Sequence, residues 1–496
     1  MSQVAVVGAG PIGLTLAGRL AQHGVDVALY DALPAHLGEG SKALCMQRET
    51  LEIWDRLGAG ERVAERGVQW RVGRTYHGDR ELFSVTLPGA SDEHFPPFVN
   101  ISQTEVERLL IARLAELGVT VKWGKCLAGL RQGDDVELTF TDGTTAHATY
   151  AVGTDGAHSA VRHAIGLAFE GHTFEDRFLI ADVRAELPFP TERRFFFDPP
   201  WNPGRQVLIH PQPDGVWRID WQVPPETDAT TELVNGGLDR RIRAVIGPDV
   251  LYELIWMTGY RFSQRLADRF RVGRAFLAGD AAHVMSPFGA RGLNSGAADA
   301  ENLAWKLAAV LRGEAGDTLL DSYDGERRPA AIENLAVTNA TMRFMVPHGW
   351  WHRSWRNAVL RLSERLAWAR RRVNSGRLAQ PFAYPASAFV GPPVAGLPAP
   401  GAVMVDAPVG GGRRLRSLTG EGFVALCFGE PAAPIDGCRL LLVGREVDDP
   451  TGRLRATYAP DGAPRAWLIR PDGHLAATGH PSQLPAMLEG ALGRAG

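Results

Sequence analysis

The sequence predicts an α/β protein with an α+β part added to it. A Rossmann-like nucleotide-binding domain is interrupted by a domain built on an antiparallel sheet, and a separate C-terminal domain follows. Three observations predict this. The first thirty-one residues read strand, GxGxxG, helix, strand, acid. A later buried strand ends in Gly279-Asp280 and runs through a loop rich in glycine and alanine into a long helix. Between these stretches the βαβ rhythm gives way to the period-two alternation of hairpins. A chain of 496 residues is also too long for one typical domain.

Val4–Val7 is a short apolar run suited to a buried parallel strand. Gly8-Ala-Gly-Pro-Ile-Gly13 follows at once, and Leu14, Leu16, Ala17 and Leu20 then mark a helical stripe ending at Gly24. Gly8 permits the tight turn, Gly10 lets the backbone approach a pyrophosphate, and Gly13 lets the helix pack on the strand. Pro11 and Ile12 complete the turn and open the helix, whose positive end faces the phosphates. The second strand, Val25–Tyr30, ends in Asp31, at the spacing of about 20 residues expected for a ribose-binding acid. This motif alone does not separate FAD from NAD. No second GxGxxG follows a strand downstream; Gly410–Gly412 has no strand before it.

The stretch GDAAHVMSPFGARGLNSG, residues 279–296, separates the two cofactors. Arg274–Gly279 reads as a buried strand, with Asp280 at the carboxyl edge where open α/β sheets bind ligands. Helical periodicity resumes over 298–311 through Leu303, Leu307, Val310 and Leu311, with Asn294 or Ser295 as the expected N-cap. An extended cofactor that begins at Gly8–Gly13 ends here. Asp280 would accept hydrogen bonds from a polyol, and the amides near Leu293 and Asn294 would stabilise an anionic ring. FAD brings both a ribityl chain and a ring that becomes negative on reduction; NAD brings neither.

Composition narrows the class. Hydrophobic content of 45% and charged content of 22% are those of an ordinary globular protein. A net charge of -3 gives no reason to expect nucleic acid. No apolar run reaches the roughly 18–20 residues of a membrane span, and MSQVAVVGAG lacks the features of a signal peptide. Cys45, Cys126, Cys427 and Cys438 form no CxxC, so neither a disulfide framework nor a metal site is expected, and a cytoplasmic location fits.

Three ordered motifs carry a family resemblance: Gly8-x-Gly-x-x-Gly13, the "DG" stretch Val152-Gly-Thr-Asp-Gly-Ala-His-Ser-Ala-Val-Arg162, and Gly279-Asp280. On these the chain resembles the class A flavoprotein monooxygenases, the aromatic hydroxylases of the p-hydroxybenzoate and phenol hydroxylase type. The resemblance implies a p-hydroxybenzoate hydroxylase-like fold. Asp155 lies in a segment shared between FAD and the nicotinamide donor. Gln103 resembles the glutamine near the ribityl chain, and Leu127 a contact on the adenine side. Pro287, Gly292, Leu293 and Asn294 look like the flavin-ring loop. Asp31 stands where glutamate is common. Lys42 stands where the family has arginine near the pyrophosphate, with Arg48 as a second candidate.

The implied activity is FAD-dependent hydroxylation of a phenolic, polycyclic or polyketide-like substrate. NADH or NADPH is the donor, O2 the oxidant, and a flavin C4a-hydroperoxide the oxygenating species. Baeyer–Villiger insertion or epoxidation on the same scaffold, a non-oxygenating flavoprotein, and an NAD-dependent dehydrogenase using only the first motif are the alternatives. Two residues are catalytic candidates. Arg291, inside Gly289–Gly292, would support an anionic flavin, and His210 would deprotonate a phenol.

The expected division is 1–75, 100–177 and 266–336 for the FAD-binding domain, and 76–99 with 178–265 for the substrate domain. In the latter, Val207–Val223 reads as a hairpin around Pro213–Gly215, with Trp217, Ile219 and Trp221 on one face, and 193–198 as a further strand. That aromatic face either roofs the flavin pocket or packs on helices behind it. Arg327-Arg-Pro329 is expected to end the flavin domain. Residues 337–385 read as a basic helical linker compatible with a homodimer contact, and 386–496 resembles the thioredoxin-like domain of the phenol hydroxylase branch, including WLIRPDGHLAA.

Overall fold

Ser2–Val7 is almost purely apolar, and the fold spends it at the middle of a parallel sheet. In the computed structural model, which describes residues 2–494 except 39–42, 88–92, 348, 374–379 and 430–432, Val27–Tyr30 pairs with one edge of this strand and Thr145–Gly153 with the other, both parallel. Val121–Lys122 extends the sheet on one side, and Ala275–Leu277 then Arg271–Val272 on the other. An antiparallel meander, Leu127–Gln132 and Val136–Phe140, leads into Thr145–Gly153. Val4 and Val6 are fully buried because helices cover the sheet. The helix Pro11–Gln22 packs beside Gln103–Glu116 and Gly292–Leu311. Strand order reverses direction at Ser2–Val7, which makes its carboxyl end the expected ligand crevice.

A second sheet has eight strands, in the order His283–Val284, Tyr252–Ala267, Phe169–Ala185, Val216–Val223, Gln206–Pro211, Arg193–Phe197, Val72–His77 and Arg80–Thr86. The long strands Phe169–Ala185 and Tyr252–Ala267 pair from Phe169↔Ala267, beside the strand His283–Val284, out to Ala185↔Tyr252. The sequence predicts an antiparallel sheet, and one pair departs from that: Arg193–Phe197 runs parallel to Val72–His77. The hairpin Val72–Thr86 comes from a distant part of the chain, so its direction beside Phe197 is not dictated by a tight turn. The hairpin around Pro213–Gly215 forms as expected, with Val207↔Trp221 and Ile209↔Ile219 in register.

Trp217, Ile219 and Trp221 do share a face, and that face packs on Leu238, Ile242 and Ile246 of the helix Gly237–Ile246. It is the back of the sheet. The opposite face carries Phe178, Ile180 and Asp182 beside Gln222, Asp220 and Arg218, with Leu208 and His210 on the next strand.

Arg327-Arg-Pro329 lies inside the helix Thr318–Met345. One helix boundary differs from the sequence reading. The helix after the glycine-rich loop begins at Gly292 with Arg291 at the N-cap, so Asn294 and Ser295 sit in its first turn. Helices Gly349–Leu362 and Ala367–Val373 follow. The C-terminal part is a four-stranded sheet, ordered Cys438–Leu442, Phe423–Phe428, Arg465–Ile469 and Leu475–Gly479. The first pair is parallel and the others antiparallel, with helices Arg453–Tyr458 and Leu484–Ala491 beside it.

Candidate functional site

The first glycine motif builds a cradle that only glycine permits. Gly8 has φ +107°, and a Cβ there would stand 2.5 Å from the Thr154 carbonyl oxygen. A Cβ on Gly13 would stand 1.8 Å from the Gly8 oxygen. Gly10 is the reverse: a Cβ would meet nothing within 4 Å, because this residue faces open space. Gly10 is also the N-cap of Pro11–Gln22 and supplies no side-chain cap, so the first-turn amides are left to a ligand or water. Thr154 Oγ1 donates to the carbonyls of Val7 and Gly8, at 3.0 and 2.7 Å, and fixes the turn between the two parallel strands.

Asp31 reaches the same turn. Its Oδ2 accepts from the Ala9 amide at 2.7 Å and its Oδ1 from the Leu33 amide at 2.8 Å. The Lys125 amide donates to the Asp31 carbonyl at 2.7 Å, which brings the start of the Leu127 strand alongside. Asp155 accepts from the Ala160 and Val161 amides through Oδ2, while its Oδ1 is buried with no hydrogen-bond partner. Burial pushes its pKa up. Gln103 opens the helix Gln103–Glu116, accepts from the Ala43 amide and donates to Glu107. Arg48 donates to the Phe95 carbonyl. Lys42 lies outside the described residues.

The glycine–alanine loop closes the other end. A Cβ on Gly279 would meet Ile12 Cγ1 at 2.9 Å, and one on Gly296 would meet Ile12 Cδ1 at 2.8 Å. Smallness here lets two helix N-termini converge on Ile12. Neither Gly10 nor Arg291, the two N-cap residues, provides a side-chain cap. Asp280 and Pro287 are exposed, and Gly292 and Leu293 half-buried. A Cβ on Gly292 would lie 3.9 Å from Asp280 Oδ1. Ala290 is held in the left-handed region at φ +51°, a strained conformation for alanine. Its carbonyl accepts from Gln47 Nε2 at 3.0 Å and from Asn294 Nδ2 at 2.6 Å.

Asn294 is a strut. Oδ1 accepts from the Gln47 amide and the Thr50 hydroxyl, and Nδ2 also donates to the Cys45 carbonyl. This occupation of its side chain explains why it does not cap the helix. Arg291 is buried, and Nη1 donates to Asn334 on the helix Thr318–Met345. Behind the loop lies a network the sequence reading missed. Asp299 joins His283 Nε2, Arg327 Nε and the Gly279 amide at 2.7, 2.7 and 3.1 Å. Arg327 also donates to Tyr384 and Ser295.

Facing the loop is the front of the large sheet. Phe288 of the loop meets Phe178 and Phe262, with ring centroids 5.8 and 6.0 Å apart. Further along the same face are His210, Arg218, Asp220 and Asp182, with Arg193 and Cys45, of the short strand Cys45–Gln47, nearby. Arg218 and Asp182 form a bidentate pair at 2.8 and 2.7 Å, and Gln212 also donates to Asp182. Arg193, His210 and Asp220 are half-buried, so this part of the face keeps some access to solvent. His210, expected as a base, stands between Arg193 and Arg218. Burial and these two cations hold its pKa well below the usual value, so it is neutral at pH 7. Burial raises the Asp220 carboxyl to about 7 and the Cys45 thiol to about 12. The signal for this face was present in the alternation of 206–222, read on the side opposite the tryptophans.

The family model described as an FAD binding domain matches residues 1–338. Rifampicin monooxygenase of Streptomyces venezuelae is 35% identical over 350 residues, 70% of this chain and 72% of that protein. The 6-methylpretetramide 4-monooxygenase of Streptomyces rimosus is 32% identical over 97% of this chain and 91% of its own. The crystal structure of a ternary complex of aklavinone-11 hydroxylase with FAD and aklavinone superimposes with a TM-score of 0.82 at 26% identity, covering 99% of both chains.

Proposed function

Because the chain belongs to the FAD binding domain family and its relatives are monooxygenases, we propose that it hydroxylates a phenolic or polycyclic, polyketide-like aromatic compound at the expense of NADH or NADPH. The observation that carries this is the convergence of two helix N-termini without side-chain caps on Ile12. The cradle fits FAD. Gly8, Gly10, Pro11, Ile12 and Gly13 would hold the diphosphate, Asp31 and the Leu127 strand the adenosine side, and Gln103 and Asp280 the ribityl chain. Pro287 and the amides of Gly292, Leu293 and Asn294 would lie along the ring, and Asp155 near the junction with the nicotinamide donor.

Bound there, the flavin would supply electron transfer from the nicotinamide to O2 and activation of that oxygen. The chain supplies position, charge and dryness. The positive end of Gly292–Leu311 favours negative charge at the ring. Phe178, Phe262 and Phe288 keep water from the reacting centre. Arg291, turned to Asn334, acts by holding the loop to the helix Thr318–Met345. We divide the chain as its sequence suggests, with 76–99 and 178–265 as the substrate domain, although its sheet reaches back to Val72 and Phe169 and on to Ala267 and His283–Val284. The order of the four C-terminal strands, with one parallel and two antiparallel pairings, supports a thioredoxin-like domain without CxxC.

The test is direct. The purified protein is expected to be yellow with bound FAD and to oxidise NADH or NADPH faster with a phenolic substrate, giving a product larger by one oxygen atom. Gly13→Ala is expected to lose the flavin while retaining the C-terminal domain's fold. A colourless protein, or nicotinamide oxidation indifferent to every phenol and polycyclic phenol tried, would refute the assignment.

A further inference from the structure

The front face of the large sheet carries a carboxylate and a guanidinium that have no hydrogen-bond partner among the described residues. Asp220 makes no hydrogen bond among the described residues, and its Oδ1 is out of reach of solvent. The Arg193 side chain makes no hydrogen bond or ion pair among them; the Phe195 ring lies 5.3 Å from its guanidinium carbon. The two feel each other's charge without forming an ion pair. Both are half-buried, and the Asp220 Oδ1 atom is cut off from bulk water. The nearby Arg218–Asp182 pair shows what a self-sufficient arrangement on this face looks like. A buried charge without a partner is costly and is kept where something else pairs with it.

We propose that Asp220 and Arg193 form a recognition and proton-transfer pair for a hydroxyaryl carbonyl substrate, with Asp220 taking the proton of the ring hydroxyl and Arg193 holding the oxygen that becomes negative. This rests on the reading of this face as the aromatic substrate's site. In the step, the phenolic O–H bond breaks, its electron pair stays on the ring oxygen, and a new O–H bond forms at an Asp220 oxygen. The ring gains electron density, which makes it a better nucleophile toward an electrophilic oxygen donor. The carbonyl gives Arg193 a second acceptor, matching the planar fork of the guanidinium.

The remaining charged groups on this face agree. Asp220 is faced by Arg218 on its own strand, Asp182 on Phe169–Ala185, His210 on Gln206–Pro211 and Arg193 on Arg193–Phe197. Asp182 is fully engaged by Arg218 and Gln212. His210 stays neutral between two cations and can donate or accept one hydrogen bond, but a proton transferred to it would be expelled by their field. Asp220 is the acceptor left, and burial places its carboxyl at about 7, near the working pH of a general base.

The probe is 1,4-dihydroxyanthraquinone, whose ionised form absorbs to the red of oxidised flavin, titrated into FAD-loaded enzyme from pH 5 to 9. Wild type is expected to bind it and to lower its first ionisation by about one pH unit or more, as a nearby cation does. Asp220→Asn and Arg193→Gln are each expected to weaken binding about tenfold, the weight of one charge-assisted hydrogen bond, and to abolish the optical shift. Asp220→Glu should restore part of it. Flavin content verifies folding of each variant, and the wild-type titration stands even if a variant fails to fold. Unchanged affinity and unchanged ionisation in both variants would overturn the proposal. So would failure of the probe to bind wild type while simple phenols without a carbonyl stimulate NAD(P)H oxidation, a result that leaves the monooxygenase assignment standing.

Discussion

Two groups of charges differ in one respect that separates structure from function. Where the C-terminal sheet meets the flavin domain, Glu326 accepts from Lys306 at 2.7 Å, from Arg470 at 2.8 and 2.9 Å, and from Asn302 and Ser387. Asp472 accepts from Arg470, Trp305 and the His474 amide. Side-chain exposure of Lys306, Glu326, Arg470 and Asp472 does not exceed 2%, and every carboxylate oxygen is engaged. On the front face of the large sheet, Asp220 and Arg193 have no such partners. The carboxylates of the first group are satisfied without a ligand and tie the C-terminal sheet to the helices Gly292–Leu311 and Thr318–Met345. The second is incomplete, and its deficit faces the space where a substrate would lie. Burial of charge alone therefore says little about function; the state of the hydrogen-bond account says more.

The comparison can be broken most forcefully at the first group. Glu326→Ala strips the buried cations of their shared acceptor and is expected to destabilise the protein by about 3–5 kcal/mol, read as a large fall in melting temperature. A mild effect would mean that these contacts are not made as described. Next in size is Asp299→Asn, behind the flavin loop. Arg327 keeps Tyr384 and Ser295, so a loss of ~2 kcal/mol is expected, accompanied by lower flavin content because the Gly279 amide loses its acceptor.

On the front face of the large sheet the sign reverses. The Asp220 carboxyl titrates at about 7 in the fold against about 3.9 in an unfolded chain. Its ionised form is therefore worse off folded than unfolded, and this penalty grows between those two values and is complete above pH 7. Asp220→Asn should raise the melting temperature at pH 8, by a gain that fades as the pH falls toward 4. Destabilisation at pH 8 would show that the carboxylate has a partner in the free protein. The smallest effect belongs to the surface. Arg62–Glu116, with side chains 48% and 42% exposed, is expected to tolerate Arg62→Ala without a measurable change in melting temperature.

The cradle was legible because its physics is local. Gly8, Gly13 and Asp31 lie within one turn or one βα unit, and steric limits on the backbone dictate glycine there in any fold that brings a helix so close to a strand. The glycines at 279 and 296 were legible as smallness, but not as smallness against Ile12, since the contact spans most of the chain. Arg291 looked poised for the flavin because its loop was; only packing showed its side chain turning to Asn334. Whether Trp217 and Trp221 roof the pocket or pack on helices behind it stayed open in the sequence for a similar reason; the structure packs them on the helix Gly237–Ile246. Alternation tells which residues share a side of a strand, not which side a helix will cover.

By itself the sequence determined the turn chemistry and the strand-and-helix order around two glycine motifs, since these follow from backbone sterics and periodicity. Tertiary structure alone decided which charges are satisfied. Pairing across a sheet, as between Arg218 and Asp182, or across a domain boundary, as between Arg470 and Glu326, depends on distances between remote segments that no local pattern encodes.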